Sequence, residues 1–145
     1  MTAKRRDVDD LRGEIQELFA DLWQVSRYSG MRRGFRPQCD CFRTDEPSAL
    51  HVVVELAGVE RESVHVVVTG RILSISGTRG RPRVPGARYH QMEIEYGPFE
   101  RRLDLGENVD PSRATASYEK GMLRIVLPLA AASRESRVSI EVTRR

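Results

Sequence analysis

The chain has 145 residues, 31% of them charged and 39% hydrophobic, which fits one modest domain with arms. No apolar run approaches the ~20 residues of a membrane-spanning helix. The formal net charge is +3, from 24 basic and 21 acidic residues, and the two signs are interleaved, so the balance does not point to nucleic acid.

The first ten residues, M-T-A-K-R-R-D-V-D-D, lack the apolar stretch of a secretory signal, and a cytoplasmic location is the expectation. An amphipathic helix is predicted over residues 8–28. Leu11, Ile15, Leu18, Phe19 and Leu22 recur at spacings of three and four, and Trp23 widens that face. Asp10, Glu14, Glu17 and Asp21 occupy much of the opposite face. The apolar face either packs on its own domain or is buried against other subunits and bound proteins. Residues 27–37, R-Y-S-G-M-R-R-G-F-R-P, form a Gly-, Pro- and Arg-rich linker. The domain organisation expected is an arm over 1–36, a β domain over 37–128 and a tail over 129–145.

The β region follows in order. Residues 39–43 form a short candidate strand. Residues 49–57 alternate, with Leu50, Val52, Val54 and Leu56 on one face. Residues 64–69 are β-branched, and 72–76 return with Leu73 and Ile75 inward. Residues 77–87 read as a long loop. Residues 89–96 regain alternation, with Met92, Ile94 and Tyr96 on one side. Residues 99–105 and 113–118 are further strands. Residues 116–128, A-S-Y-E-K-G-M-L-R-I-V-L-P, read as a strand end, a tight turn at Lys120-Gly121 and a strand stopped by Pro128. Many short strands with turns about every 8–12 residues make a β-sandwich, and no helical period intrudes to build a parallel sheet. The tail ends with Val138, Ile140 and Val142 at every second position, one apolar face of an extended segment. It is either a last strand of the same domain or an anchor that something else receives.

Three of these segments, in this order, resemble the signatures of one family. G-P-F-E-R at 97–101, ending at Leu105, is similar to G-x-F-x-R-x-x-x-L-P. Residues 116–128 are similar to A-x-x-x-n-G-x-L-x-x-x-L-P, and Val138-Ser139-Ile140 stands where an I-x-I anchor is carried. The chain thus resembles a bacterial small heat-shock protein of the Hsp20 family. It departs from the pattern at Gly106, where a proline is usual, at Lys120, where asparagine is common, and at Val138, one methylene short of isoleucine and worth ~0.8 kcal/mol of burial. The register Ile140-Glu141-Val142 competes with Val138/Ile140 as the anchor.

The resemblance implies an all-β, immunoglobulin-like sandwich (an α-crystallin domain) with a helical arm and an extended tail. It implies an ATP-independent holdase that binds unfolding client proteins through apolar surface, the candidates being Leu11, Ile15, Leu18, Phe19, Leu22 and Trp23. It implies a homodimer, built by exchange of a strand carrying Tyr89, Met92 and Ile94 and with Arg101 at the contact, that assembles into higher homo-oligomers. The tail anchor, Val138 and Ile140, would enter a neighbour's groove lined by Val64, Val66, Val68, Thr115 and Ser117. Arg101 also reads, from its strand face alone, as a half-buried side chain reaching water.

No catalytic constellation emerges. A phosphate-binding G-x-x-x-x-G-K-[ST] loop is missing, and His51, His65 and His90 lack H-E-x-x-H spacing. Cys39 and Cys41 supply two thiols on one strand face, too few for a closed zinc site. Neither enzyme activity, nor a cofactor, nor a metal is expected. The rival reading is a monomeric p23/CS-like co-chaperone that binds another chaperone; the long loop over 77–96 and the apolar tail argue against it.

Overall fold

The computed structural model describes residues 34–132 and 136–145. The predicted arm helix, with Leu11, Ile15, Leu18, Phe19, Leu22 and Trp23, lies outside the described residues. Phe35–Arg145 forms one compact unit. Among the described residues nine strands follow one another: β1 (Cys39–Asp45), β2 (Ser48–Glu55), β3 (His65–Thr69), β4 (Ile72–Arg79), β5 (Gly97–Asp104), β6 (Thr115–Glu119), β7 (Met122–Pro128), β8 (Arg137–Ile140) and β9 (Val142–Arg144). Short 3-10 turns at Arg61–Ser63 and Pro111–Arg113 were not anticipated from the sequence.

The strands form two sheets, β1-β2-β7-β6-β9 and β5-β4-β3-β8. Every pairing is antiparallel except β6 with β9. Alternation dictates the layering: side chains two residues apart share a face, so each strand gives one row to the interior. Val52 and Val54 of β2, Val66 and Val68 of β3, Leu73 and Ile75 of β4, and Leu123, Ile125 and Leu127 of β7 are buried in a single core. The all-β sandwich is therefore the fold, as the strand pattern predicts.

The β6–β7 hairpin shows how local chemistry sets register. Lys120 and Gly121 both take positive φ, 52° and 77°, the two-residue turn that suits the twist of antiparallel strands. A Cβ at Gly121 would also lie 3.0 Å from the Ala57 Cα, so glycine is required by contact as well as by φ. With that turn fixed, Glu119 pairs with Met122 and Ala116 with Ile125.

Two expectations change. Strand β4 runs on to Arg79, three residues past the predicted end, because Gly77, Thr78 and Arg79 pair with Phe99, Pro98 and Gly97. Residues 89–96 form no strand within this chain, because no edge of their own sandwich is paired with them. Their alternation is real, but a ladder needs a partner.

Candidate functional site

The tail lies between the two sheets at one side of the sandwich. Strand β8 pairs with β3, placing Val138 opposite Val68 and Ile140 opposite Val66. One residue later the chain changes sheets: β9 pairs with β6, with Val142 opposite Ala116 and Thr143 opposite Ser117. The Thr143 hydroxyl adds a 3.1 Å bond to the Ala116 carbonyl. Ile140 is only 8% exposed and belongs to the core, while Val138 and Val142 are half-buried and Val142 packs against the core. Within this chain the apolar residues at the crossing between the two sheet edges are thus Ile140 and Val142.

The groove walls are unequal. Val64, Val66 and Val68 are buried on the β3 side. On the β6 side, Ala116 is buried, Ser117 is half-buried and Thr115 is exposed. A cleft of about 320 Å³ beside the crossing is lined by Arg61, Glu62, His65 and the tail itself. The Glu62 carboxyl is held below the usual carboxylate range, first by its own backbone amide, then by the Arg61 guanidinium 3.3 Å away, with the tail's Arg144 adding to the effect.

At the opposite side of the sandwich, β1 and β5 are the sheet edges. Arg101 is half-buried and donates a 2.6 Å hydrogen bond to the Pro37 carbonyl, just before β1. That bond accounts for a guanidinium on the face of Phe99 and Leu103 without leaving its charge unsolvated. Cys39 is half-buried and Cys41 exposed; both are free thiols, and burial pushes both above the usual thiol range. Among the described residues no cluster of three or more metal-ligating side chains occurs.

Between β4 and β5, residues 80–96 leave the sandwich. Tyr89, Met92 and Ile94 are 54%, 55% and 61% exposed, a large apolar surface for one segment. Sequence reasoning missed the groups at the base of this excursion, Phe35, Arg79 and Tyr96. It also missed Tyr118, whose hydroxyl bonds to the Leu56 carbonyl. Arg79 was legible in principle: it continues the inward phase of Leu73, Ile75 and Gly77.

Fold and site together define a class, an immunoglobulin-like sandwich with one edge groove filled by an extended tail segment and one apolar excursion left without a partner. The comparisons narrow it. The Hsp20/alpha crystallin family profile matches residues 43–143. "Small heat shock protein C4" of Rickettsia felis is 29% identical over 140 residues, 96% of this chain and 83% of that protein. The "17.8 kDa class I heat shock protein" of Solanum lycopersicum is 32% identical over 133 residues, 90% of this chain and 85% of that one. The structure of heat shock protein 16.0 from Schizosaccharomyces pombe superposes with a TM-score of 0.62 at 27% identity, covering 70% of this chain and 94% of that chain. This chain belongs to the Hsp20/alpha crystallin family, and membership supports a chaperone role. Among the described residues, no helix is long and apolar enough to cross a membrane.

Proposed function

We propose that the protein is an ATP-independent holdase: it binds partly unfolded proteins through apolar surface and keeps them from aggregating. The observation that carries this reading is the Hsp20/alpha crystallin family match over residues 43–143, beside an arm sequence rich in apolar residues at helical spacing. Apolar surface of that kind is costly in water and has value only when covered. The arm face Leu11, Ile15, Leu18, Phe19, Leu22 and Trp23 is the candidate client surface, supported by its helical spacing. Contact by burial is non-directional, which suits clients of many sequences.

Assembly follows from the same economy of edges. Two copies form a dimer by laying the Tyr89–Met92–Ile94 segment of one on the free β1 edge of the other, with Arg101 near that contact. Dimers join when the tail, anchored by Ile140 with Val138 or Val142, leaves its own groove for that of a neighbour. Support comes from the edge position of β8 and β9, held on one side only. Strand addition of this type draws affinity from the backbone and selectivity from alternate side chains. The working compartment in this reading is the cytoplasm, where Cys39 and Cys41 stay reduced.

The test is light scattering of a heat-labile client with equimolar protein. Suppression without ATP is expected; unchanged scattering, or suppression only with ATP, overturns the reading. Native mass spectrometry of the full chain reads the assembly, and a uniform monomer would favour a co-chaperone of the p23/CS type.

A further inference from the structure

The base of the 80–96 excursion is pinned by one side chain. Arg79, the last residue of β4, pairs with Gly97, the first of β5, so the segment leaves and returns at one point. Its guanidinium donates from Nε and Nη2 to the Glu95 carbonyl, at 2.8 and 2.5 Å, and from Nη1 to the Ala57 carbonyl at 3.3 Å. The same group lies 3.6 Å from the centre of the Phe35 ring and 5.7 Å from that of Tyr96. Arg81 continues the series, 4.6 Å from the Tyr96 ring and 5.5 Å from the Tyr89 ring. Aromatic faces and guanidinium planes thus alternate from Phe35, itself edge-on to Phe99 at 5.6 Å, out to Tyr89. A planar, permanently charged fork is what this geometry needs: it bonds in its plane to two carbonyls and stacks on rings above it.

We propose that Arg79 is a positioning residue for dimer formation: with Phe35 and Tyr96 it fixes the direction in which the Tyr89–Met92–Ile94 segment leaves the sandwich. The proposal rests on the exchange reading given above. Glu95 is the residue next to Ile94, so holding its carbonyl sets which way the apolar row faces. In this proposal the clamp of Arg79, Phe35 and Tyr96 orients the segment without a group from the partner. An oriented segment loses less freedom on docking than a free one, and the dimer gains by that difference.

The experiment follows the full chain to monomers on dilution, by native mass spectrometry, in four variants. Arg79→Ala and Tyr96→Leu should each raise the midpoint of dissociation about tenfold, and Tyr96→Phe, which keeps the ring face, should match the wild type. A triple variant, Tyr89→Ser with Met92→Ser and Ile94→Ser, tests the exchange itself. If the triple variant dimerises like the wild type, the exchange reading fails and the positioning proposal falls with it. If the triple variant is monomeric while Arg79→Ala and Tyr96→Leu dissociate at the wild-type concentration, the exchange stands and the positioning role is overturned. Backbone NMR order parameters give a readout that general destabilisation would not move. In the triple background, Arg79→Ala should lower them in residues 84–95 and leave β7 unchanged. Equal order parameters in that segment with and without Arg79 would overturn the proposal. Should Arg79→Ala fail to fold, Tyr96→Leu against Tyr96→Phe decides alone, since neither touches the core.

Discussion

The Tyr118 hydroxyl donates a 2.6 Å hydrogen bond to the Leu56 carbonyl, joining β6 to the chain just beyond β2 across the intervening strand β7. The same carbonyl accepts the Val59 amide at 3.1 Å, so it closes a turn and receives a side chain together.

Tyr118→Phe should therefore cost little more than one hydrogen bond, about 0.5–1 kcal/mol, because Leu56 keeps its second partner. Urea unfolding with unchanged far-UV circular dichroism would measure it. Burial raises the Tyr118 phenol above its ordinary value of 10.0. The neutral form is thus favoured by folding: its contribution is complete below pH 10.0 and is lost as pH rises through the higher folded value. The phenylalanine variant should lack that alkaline component, and an identical alkaline profile in both proteins would contradict the assignment.

The tail should show a graded response. Ile140→Ala should cost about 2 kcal/mol of tail attachment, since Ile140 joins the core, and Val138→Ala and Val142→Ala distinctly less. Amide exchange in β3, at residues 65–69, reports attachment directly. Val138→Gly with Ile140→Gly should also shift the full chain toward dimers on size-exclusion chromatography without loss of sheet signal. An unchanged elution volume would mean that the tail serves only its own sandwich.

Glu62 should give the Arg61–Ser63 turn, beside the tail, a dependence on acid. Its carboxyl is depressed from 4.5, with Arg144 among the causes. The ionised form favours the folded arrangement, so its contribution is present above pH 4.5 and disappears as pH falls through the lower folded value. Exchange of the Ser63 and Val64 amides, which close that turn, should accelerate across that window, and Glu62→Gln should remove the acceleration. The carboxyl is exposed, so salt should weaken the same effect.

The excursion should be removable. Arg79 and Gly97 already face each other at the end of a hairpin. Replacing residues 80–96 by Asn-Gly should close it as a two-residue turn and leave the sandwich folded. That protein should be monomeric. Dimers that persist at wild-type concentration would place the main contact elsewhere.

Strand positions were legible wherever alternation coincided with burial, as in Leu50, Val52 and Val54 or Leu123, Ile125 and Leu127. The turn at Lys120-Gly121 was legible because few residues accept positive φ. What the sequence hid has a common physical cause: it depends on which edges meet. Alternation at 89–96 announces a strand without saying that its partner is missing from the chain. Val138, Ile140 and Val142 are equivalent by spacing, and only the change of sheets at Glu141 separates them. Arg79 was obscured by the glycines and arginines that follow it, which made the end of β4 resemble loop. Arg101 shows the reverse, since its strand face was readable but the Pro37 carbonyl that receives it was not.

The crossing at Glu141 has a protective side. A bare sheet edge is a template for indefinite growth, the geometry that cross-β fibres exploit. By lying along β3 and then β6, a single short segment caps two such templates at once, and it caps them with opposite polarity, antiparallel on one and parallel on the other. A fibre-forming strand stacks on one edge in one sense and cannot copy that arrangement. The same residues that finish the chain thus cover one edge of each sheet, β3 in one and β6 in the other.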